Sequence, residues 1–142
     1  MSAVNKPYEV FEHTADVGLD AYGGSLEELF INAARGMHSL MVPLDQLQAT
    51  TVREIKVEAH DLVSLLVAWL NHQIFLFDTE YLLFRDFHII AMTDTSLIAQ
   101  ATGEQYDAER HELSSAIKAV TWHQAAVERT ATGYKARIIF DI

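Results

Sequence analysis

The sequence predicts an α+β domain, a mixed or mostly antiparallel sheet with two main helices packed on it. Only two stretches carry apolar residues at three- and four-residue spacing, beginning at Leu26 and at Leu62. The remaining apolar runs are short, rich in Ile, Val, Thr and aromatics, and bounded by turn residues. Four such runs follow the second helix with no helix between them, which favours antiparallel pairing over a doubly wound parallel sheet.

Taken in order, Tyr8 and Val10 alternate with Glu9 and Phe11 in a first strand, and Leu19 to Tyr22 continue as a second after an Asp16-Val17-Gly18 turn. Ser25-Leu26-Glu27-Glu28 has the capping-box pattern, and Leu26, Leu29, Phe30, Ala33, Met37, Leu40 and Met41 then line one face until Pro43 forbids continuation. The first helix is therefore expected over about residues 26 to 41. Residues 50–59 alternate as a strand in which Glu54-Ile55 breaks the strict register. Asp61 is a fitting N-cap for a second helix that presents Leu62, Leu65, Leu66, Trp69, Leu70 and Ile74 and ends near residues 77–79. Strands are expected over 83–92, 96–103, 117–129 and 134–142, the last two joined as a hairpin at Ala131-Thr132-Gly133, with 105–115 as a long loop or short helix. No repeat or low-complexity tract interrupts the chain, so residues 1–142 are read as one domain.

The composition excludes several classes. The chain has 142 residues, is 50% hydrophobic and holds only 2 Pro and 6 Gly, which is the profile of a packed globular domain. With Cys at 0, disulfides, thiolate metal sites and cysteine nucleophiles are excluded. The longest apolar stretches are broken by charge or amide within about a dozen residues, short of the roughly 20 that cross a bilayer, so no membrane partner is expected. The start lacks the apolar core of a secretory signal, and a cytoplasmic location is expected. Lys plus Arg is 10 against 20 for Asp plus Glu, a formal charge of -10. Such a surface repels phosphate backbones, so no strong direct nucleic-acid binding is expected, whereas a basic protein partner or a bound cation is favoured.

No phosphate-binding glycine loop or serine-hydrolase elbow is present, and His111-Glu112 departs from the zincin helix because Ser115 stands where the second His is needed. Gly23-Gly24-Ser25 is either a plain cap or an anion cradle at a helix start. His13-Thr14-Ala15-Asp16-Val17-Gly18 sets an imidazole, a hydroxyl and a carboxylate at a strand end, which is either half of a cation site or an Asx turn beside an edge histidine. Lys118-Ala119-Val120-Thr121-Trp122-His123 reads as a strand with Thr121 and His123 on one face and Lys118 and Trp122 on the other. Asp141 and the chain-end carboxylate of Ile142 follow the apolar Ile138-Ile139-Phe140, so two anionic groups close a strand that packing holds, either for a cation or as a solvated tail.

Together these three segments resemble archease, and the resemblance runs from Tyr8 to Ile142, including the Gly-Ser-Leu-Glu-Glu-Leu-Phe helix start. It implies a small acidic α+β protein that is not itself an enzyme. Such a protein serves as cofactor to the RtcB-type RNA-splicing ligase of tRNA splicing and RNA repair, promoting GTP-dependent guanylylation and repeated turnover. The family is also linked to chaperoning of tRNA methyltransferases. The resemblance places Asp16 and Asp141 in a metal site, with Ile142 beside them, and makes Lys118 the functional lysine, with His13, Thr121 and His123 in the same motifs. Where the family usually has Tyr, this chain has Trp122, which keeps the aromatic body and loses the hydroxyl. An oxygen-rich donor set of this kind suits Ca²⁺, Mg²⁺ or Mn²⁺ better than zinc. The competing reading is a metal-dependent hydrolase in which Asp16 and Asp141 hold the ion and His13 or His123 moves protons.

Overall fold

The computed structural model describes residues 6–13 and 16–142, the side chains of residues 12 and 13 excepted. Strands β1 (Tyr8–His13) and β2 (Asp16–Gly23) lead into helix α1 (Leu26–Met41), a short 3₁₀ turn (Leu44–Gln46) and strand β3 (Thr51–Glu58). Helix α2 (Leu62–Glu80) follows, then β4 (Leu82–Met92), β5 (Ser96–Gln105), β6 (Ala119–Thr130) and β7 (Gly133–Asp141). The strands form two antiparallel sheets, β1-β2-β7-β6 and β3-β5-β4. The α+β class and the two helices are as expected, with the strands divided between two sheets.

Local chemistry sets the helix ends. Ser25 accepts from the Glu28 amide at 3.1 Å while Glu28 accepts from the Gly24 amide at 2.6 Å, so the cap consumes amides that an anion would otherwise use. Asp61 accepts from the Ser64 amide at 2.8 Å to start α2. Helix α2 runs to Glu80, a little beyond the expected end, and stops where Tyr81 turns left-handed at φ 60.

Helix α1 packs on β2 and reaches β4, whereas α2 packs along β6 and on all three strands of the second sheet, so each helix touches both sheets. That double contact explains why α2 is apolar nearly all round. By length and composition alone it meets the requirement for crossing a membrane, contrary to the sequence expectation. Half of it is nonetheless buried inside the fold, where Leu65, Leu66, Trp69 and Leu70 are inaccessible.

Two local expectations need correction. Asp16, Val17 and Gly18 are not a turn but the first residues of β2, with His13 opposite Asp16 and Phe11 opposite Gly18. Gly18 makes room for a close approach, because a Cβ there would collide with the Phe11 ring and displace it. In β3 the register is unbroken: Thr51, Arg53, Ile55 and Val57 face inward, and the exposed residue that misled the pattern is Val52. Residue 105 closes β5, and the segment from 106 to 118 is a loop with one turn, the loop alternative of the two expected there.

A polar thread crosses the core. His38, fully buried, lies 2.8 Å from the Gln73 carbonyl oxygen through Nε2 and accepts the Phe84 amide at 3.3 Å through Nδ1. Since Nδ1 accepts, Nε2 carries the proton, and the imidazole is neutral. Trp69 donates to the Phe30 carbonyl at 3.0 Å, and Gln73 donates to the Trp69 carbonyl at 3.3 Å, joining both helices and β4.

Candidate functional site at the sheet end

The first sheet buries one face against the helices. Leu19, Ala21, Ala136, Ile138 and Phe140 point there and are inaccessible. Alternation sends Asp16, Gly18 and Asp20 of β2, and Arg137, Ile139 and Asp141 of β7, to the opposite face. The last paired rung is Val17 with Phe140, so Asp16 and Asp141 stand one step beyond it, side by side on that outer face. His13 faces Asp16 across β1–β2, and Ala119 faces Asp141 across β6–β7. The Lys118 amide donates to the Asp141 carbonyl at 2.8 Å. Thus residues from the start, the last third and the end of the chain converge on one end of one sheet. That convergence is a consequence of β7 running between β2 and β6.

Lys118 lies just before β6, not within it, and its side chain is solvent-exposed. The predicted segregation of Thr121 with His123 against Lys118 with Trp122 fails for a structural reason. Thr121 pairs with Ile139, but the next paired residue of β6 is Ala126, opposite Arg137, so residues 122–125 face the single residue 138. Gln124 sits at φ 58 within this irregularity, and alternation is lost across it. Thr121 keeps its place on the outer face beside Asp141 and Ile139, whereas Trp122 and His123 lie on the exposed bulge. Of residues 13–15 only the backbone position of His13 is described, so the Thr14-Ala15 part of the first motif and any ligation by His13 lie outside the described residues.

Sequence reasoning missed a second feature of this face. Asp20, nearly buried, accepts from Arg137 Nε and Nη2, both at 2.8 Å, while the guanidinium stacks 4.5 Å from the centre of the Phe11 ring. A charged residue between the apolar Leu19 and Ala21 was the available signal. The pairing ties β1, β2 and β7 together a few residues from Asp16 and Asp141. The loop that delivers Lys118 is braced too. Glu104, buried at the end of β5, accepts from Arg110, from His111 Nε2 at 2.8 Å and from the Gln48 amide at 2.8 Å. Burial would raise the Glu104 pKa, but Arg110, the Gln48 amide and His111 overcome it and hold it down at about 2. Ile117 is buried immediately before Lys118 and anchors the loop's end.

As a cation site, the sheet end offers two carboxylates. No group of three His, Cys, Asp or Glu positioned for a metal occurs among the described residues. That donor set fits a hard ion that retains water, as Mg²⁺ does with one or two carboxylates, and it does not fit a closed four-ligand zinc site.

The fold and this sheet end define a small acidic α+β protein that brings two aspartates and the backbone of a lysine to one end of an antiparallel sheet. A model of the Archease protein family (MTH1598/TM1083) matches residues 8–142, and the chain belongs to that family. It is 39% identical over 146 aligned positions to the archease of Methanosarcina barkeri, covering 100% of both chains. The archease of Sulfurisphaera tokodaii is 35% identical over 136 positions, covering 95% of this chain and 98% of that one. The solution structure of protein 1598 from Methanobacterium thermoautotrophicum superposes with a TM-score of 0.80 at 35% identity, covering 96% of this chain and 99% of that chain. A crystal structure from Thermotoga maritima, described as an archease and possible chaperone, shares the fold with a TM-score of 0.64 at 22% identity, covering 93% and 94%.

Proposed function

We propose that the protein is a non-catalytic activator of an RtcB-type RNA-splicing ligase, promoting its GTP-dependent guanylylation and allowing repeated turnover. The observation that carries this reading is the convergence of Asp16, Asp141 and Lys118 at one sheet end. The formal charge of -10 suits encounter with a ligase surface that handles RNA phosphates, through steering rather than through nucleic-acid contact. Asp16 and Asp141 would hold Mg²⁺, Ca²⁺ or Mn²⁺, which supplies a point of positive charge for an oxygen ligand from the partner or its nucleotide. Lys118, whose backbone amide is held on the Asp141 carbonyl, would offer its solvated ammonium to the partner or its nucleotide. A chaperone role toward a tRNA methyltransferase is the alternative reading. It differs in partner and would leave ligase guanylylation indifferent to the protein.

Because the Lys118 side chain is solvated, Lys118→Ala is expected to shift stability by less than about 0.5 kcal/mol while weakening activation of the ligase. Paired melting curves and guanylylation rates check both halves. A large loss of stability would assign the lysine a structural role.

The metal proposal makes a separate prediction. If one ion bridges both carboxylates, Asp16→Asn and Asp141→Asn should each sharply weaken Mg²⁺, Ca²⁺ or Mn²⁺ binding in calorimetric titration, and the double variant should cost little more than either single one. Without metal, Asp141→Asn, at an exposed position, should leave the stability within about 0.5 kcal/mol of the wild type. Additive losses would mean two independent sites, and unchanged affinity in Asp141→Asn would retire the shared site.

A further inference from the structure

Three locally unfavourable features coincide in the first half of β6. Trp122 is 59% exposed, although a tryptophan gains more than any other side chain from burial. Gln124 adopts the left-handed region at φ 58, which a residue with a Cβ enters only under constraint. The Thr121 hydroxyl is buried without a hydrogen-bond partner among the described residues. A regular strand would remove the left-handed residue and return Trp122 to the ladder. Bulges of this kind concentrate where a side chain must be re-aimed beside a site.

The same stretch is fixed to α2. The Asn71 side chain accepts the Val120 amide at 3.0 Å, so the outward edge of β6 is closed by the helix at that point. Phe75 lies one helical turn beyond Asn71 and is 57% exposed, and Trp122 lies two strand residues beyond Val120. Two large exposed aromatics therefore flank one helix–strand contact. Asp78 is exposed on the next turn of α2, and the chain as a whole carries a formal charge of -10, so that surface stands in a negative field.

We infer that the Trp122 bulge of β6 together with Phe75 of α2 is a protein-docking surface whose occupant is the basic face of the activated ligase. This rests on the ligase reading above and adds the contact surface to it. Exposed aromatics are the anchors that most often carry binding energy, and the negative charge of the chain favours a cationic partner while disfavouring a second copy of itself. The surface is continuous with Lys118, two residues before Val120, so docking there brings the paired-carboxylate end of the sheet against the partner.

The test is calorimetric binding of the purified ligase from the same organism to the wild type and to Trp122→Ser, Phe75→Ser and Val52→Ser, the last an equally exposed residue on the other sheet. The expected result is affinity at least ~30-fold weaker for Trp122→Ser, several-fold weaker for Phe75→Ser and unchanged for Val52→Ser, with melting midpoints preserved in all three. If the wild type binds and Trp122→Ser binds equally well, this inference falls while the ligase reading stands. If the wild type does not bind, the ligase reading falls and takes this occupant with it. Loss of self-association in Trp122→Ser, with ligase affinity intact, would reassign the surface to a second copy of the chain.

Discussion

Gly103→Ala is expected to lower the unfolding free energy by about 3 kcal/mol or more, an exceptional cost for adding one methyl group. Gly103 sits in the middle strand of the second sheet, paired with Thr51 on one side and Phe84 on the other. A Cβ there would collide with the Leu83 carbonyl oxygen and stand 2.8 Å from the Phe84 Cα, both backbone atoms that cannot rotate aside. Only separation of β4 from β5 relieves the clash. That movement would withdraw the Phe84 amide from His38 and disturb the Phe84 ring in its contact with Phe87. The close approach coincides with the register shift between Phe84 and Asp86, where β4 carries its irregularity. Gly24→Ala provides the control, since the nearest atom is the end of the flexible Glu28 side chain at 3.5 Å, and its effect should stay within about 0.5 kcal/mol. Urea denaturation of both variants checks the contrast. A loss under about 1 kcal/mol for Gly103→Ala would mean that the β4–β5 approach is not held as described.

The second large effect is acid sensitivity. Burial pushes the His38 pKa down from 6.5 to about 4, with the Gln73 hydrogen bond opposing weakly. The unfolded chain therefore binds a proton between those values that the folded chain refuses, so stability falls as pH drops from 6.5 toward 4 and is complete above 6.5. At about 1.4 kcal/mol per unit of pKa, the total from this residue is about 3 kcal/mol. His72, partly buried and likewise shifted down by desolvation, adds in the same direction. Glu104 then acts in a lower window. Its carboxylate, held down at about 2 against 4.5 when unfolded, contributes stability that is intact above 4.5 and is lost as pH falls toward 2. Acid is therefore expected to destabilise the fold in two successive windows. Denaturant titrations at half-unit pH steps should give a steeper decline between 6.5 and 4 for the wild type than for His38→Gln, which starts less stable but lacks the titration. Parallel slopes would remove His38 as the cause.

Much of the fold was legible because its signals are local. Ser25 with Glu28, Asp61 and Pro43 mark helix ends through hydrogen bonds and steric limits that reach only a few residues. The division into two sheets was not legible, because which strand pairs with which is decided by contacts between distant parts of the chain. Gly18 reads as a turn residue in sequence, since a glycine accommodating the Phe11 ring looks the same there as a glycine turning the chain. The β6 bulge left no local mark either. Gln124 has no particular preference for the left-handed region, and only the pairing of Thr121 and Ala126 with β7 reveals that residues are spare between them. For the candidate site, Asp16, Asp141 and Lys118 were identifiable as motif residues, but their meeting required β7 to lie between β2 and β6. The Asp20–Arg137 pair and the Glu104–His111 brace went unread because each joins residues whose roles appear only once the strands are adjacent or the loop is closed.

The most direct measurement is ligase guanylylation with GTP and divalent metal, followed from single to multiple turnover, with the purified ligase alone, with the wild-type protein, and with Asp16→Asn, Asp141→Asn or Lys118→Ala. The expected result is that the wild type accelerates guanylylation and sustains turnover at sub-stoichiometric amounts, and that each of the three variants, folded and with melting curves close to wild type, loses most of that effect. Guanylylation and turnover identical with and without the wild-type protein would contradict it.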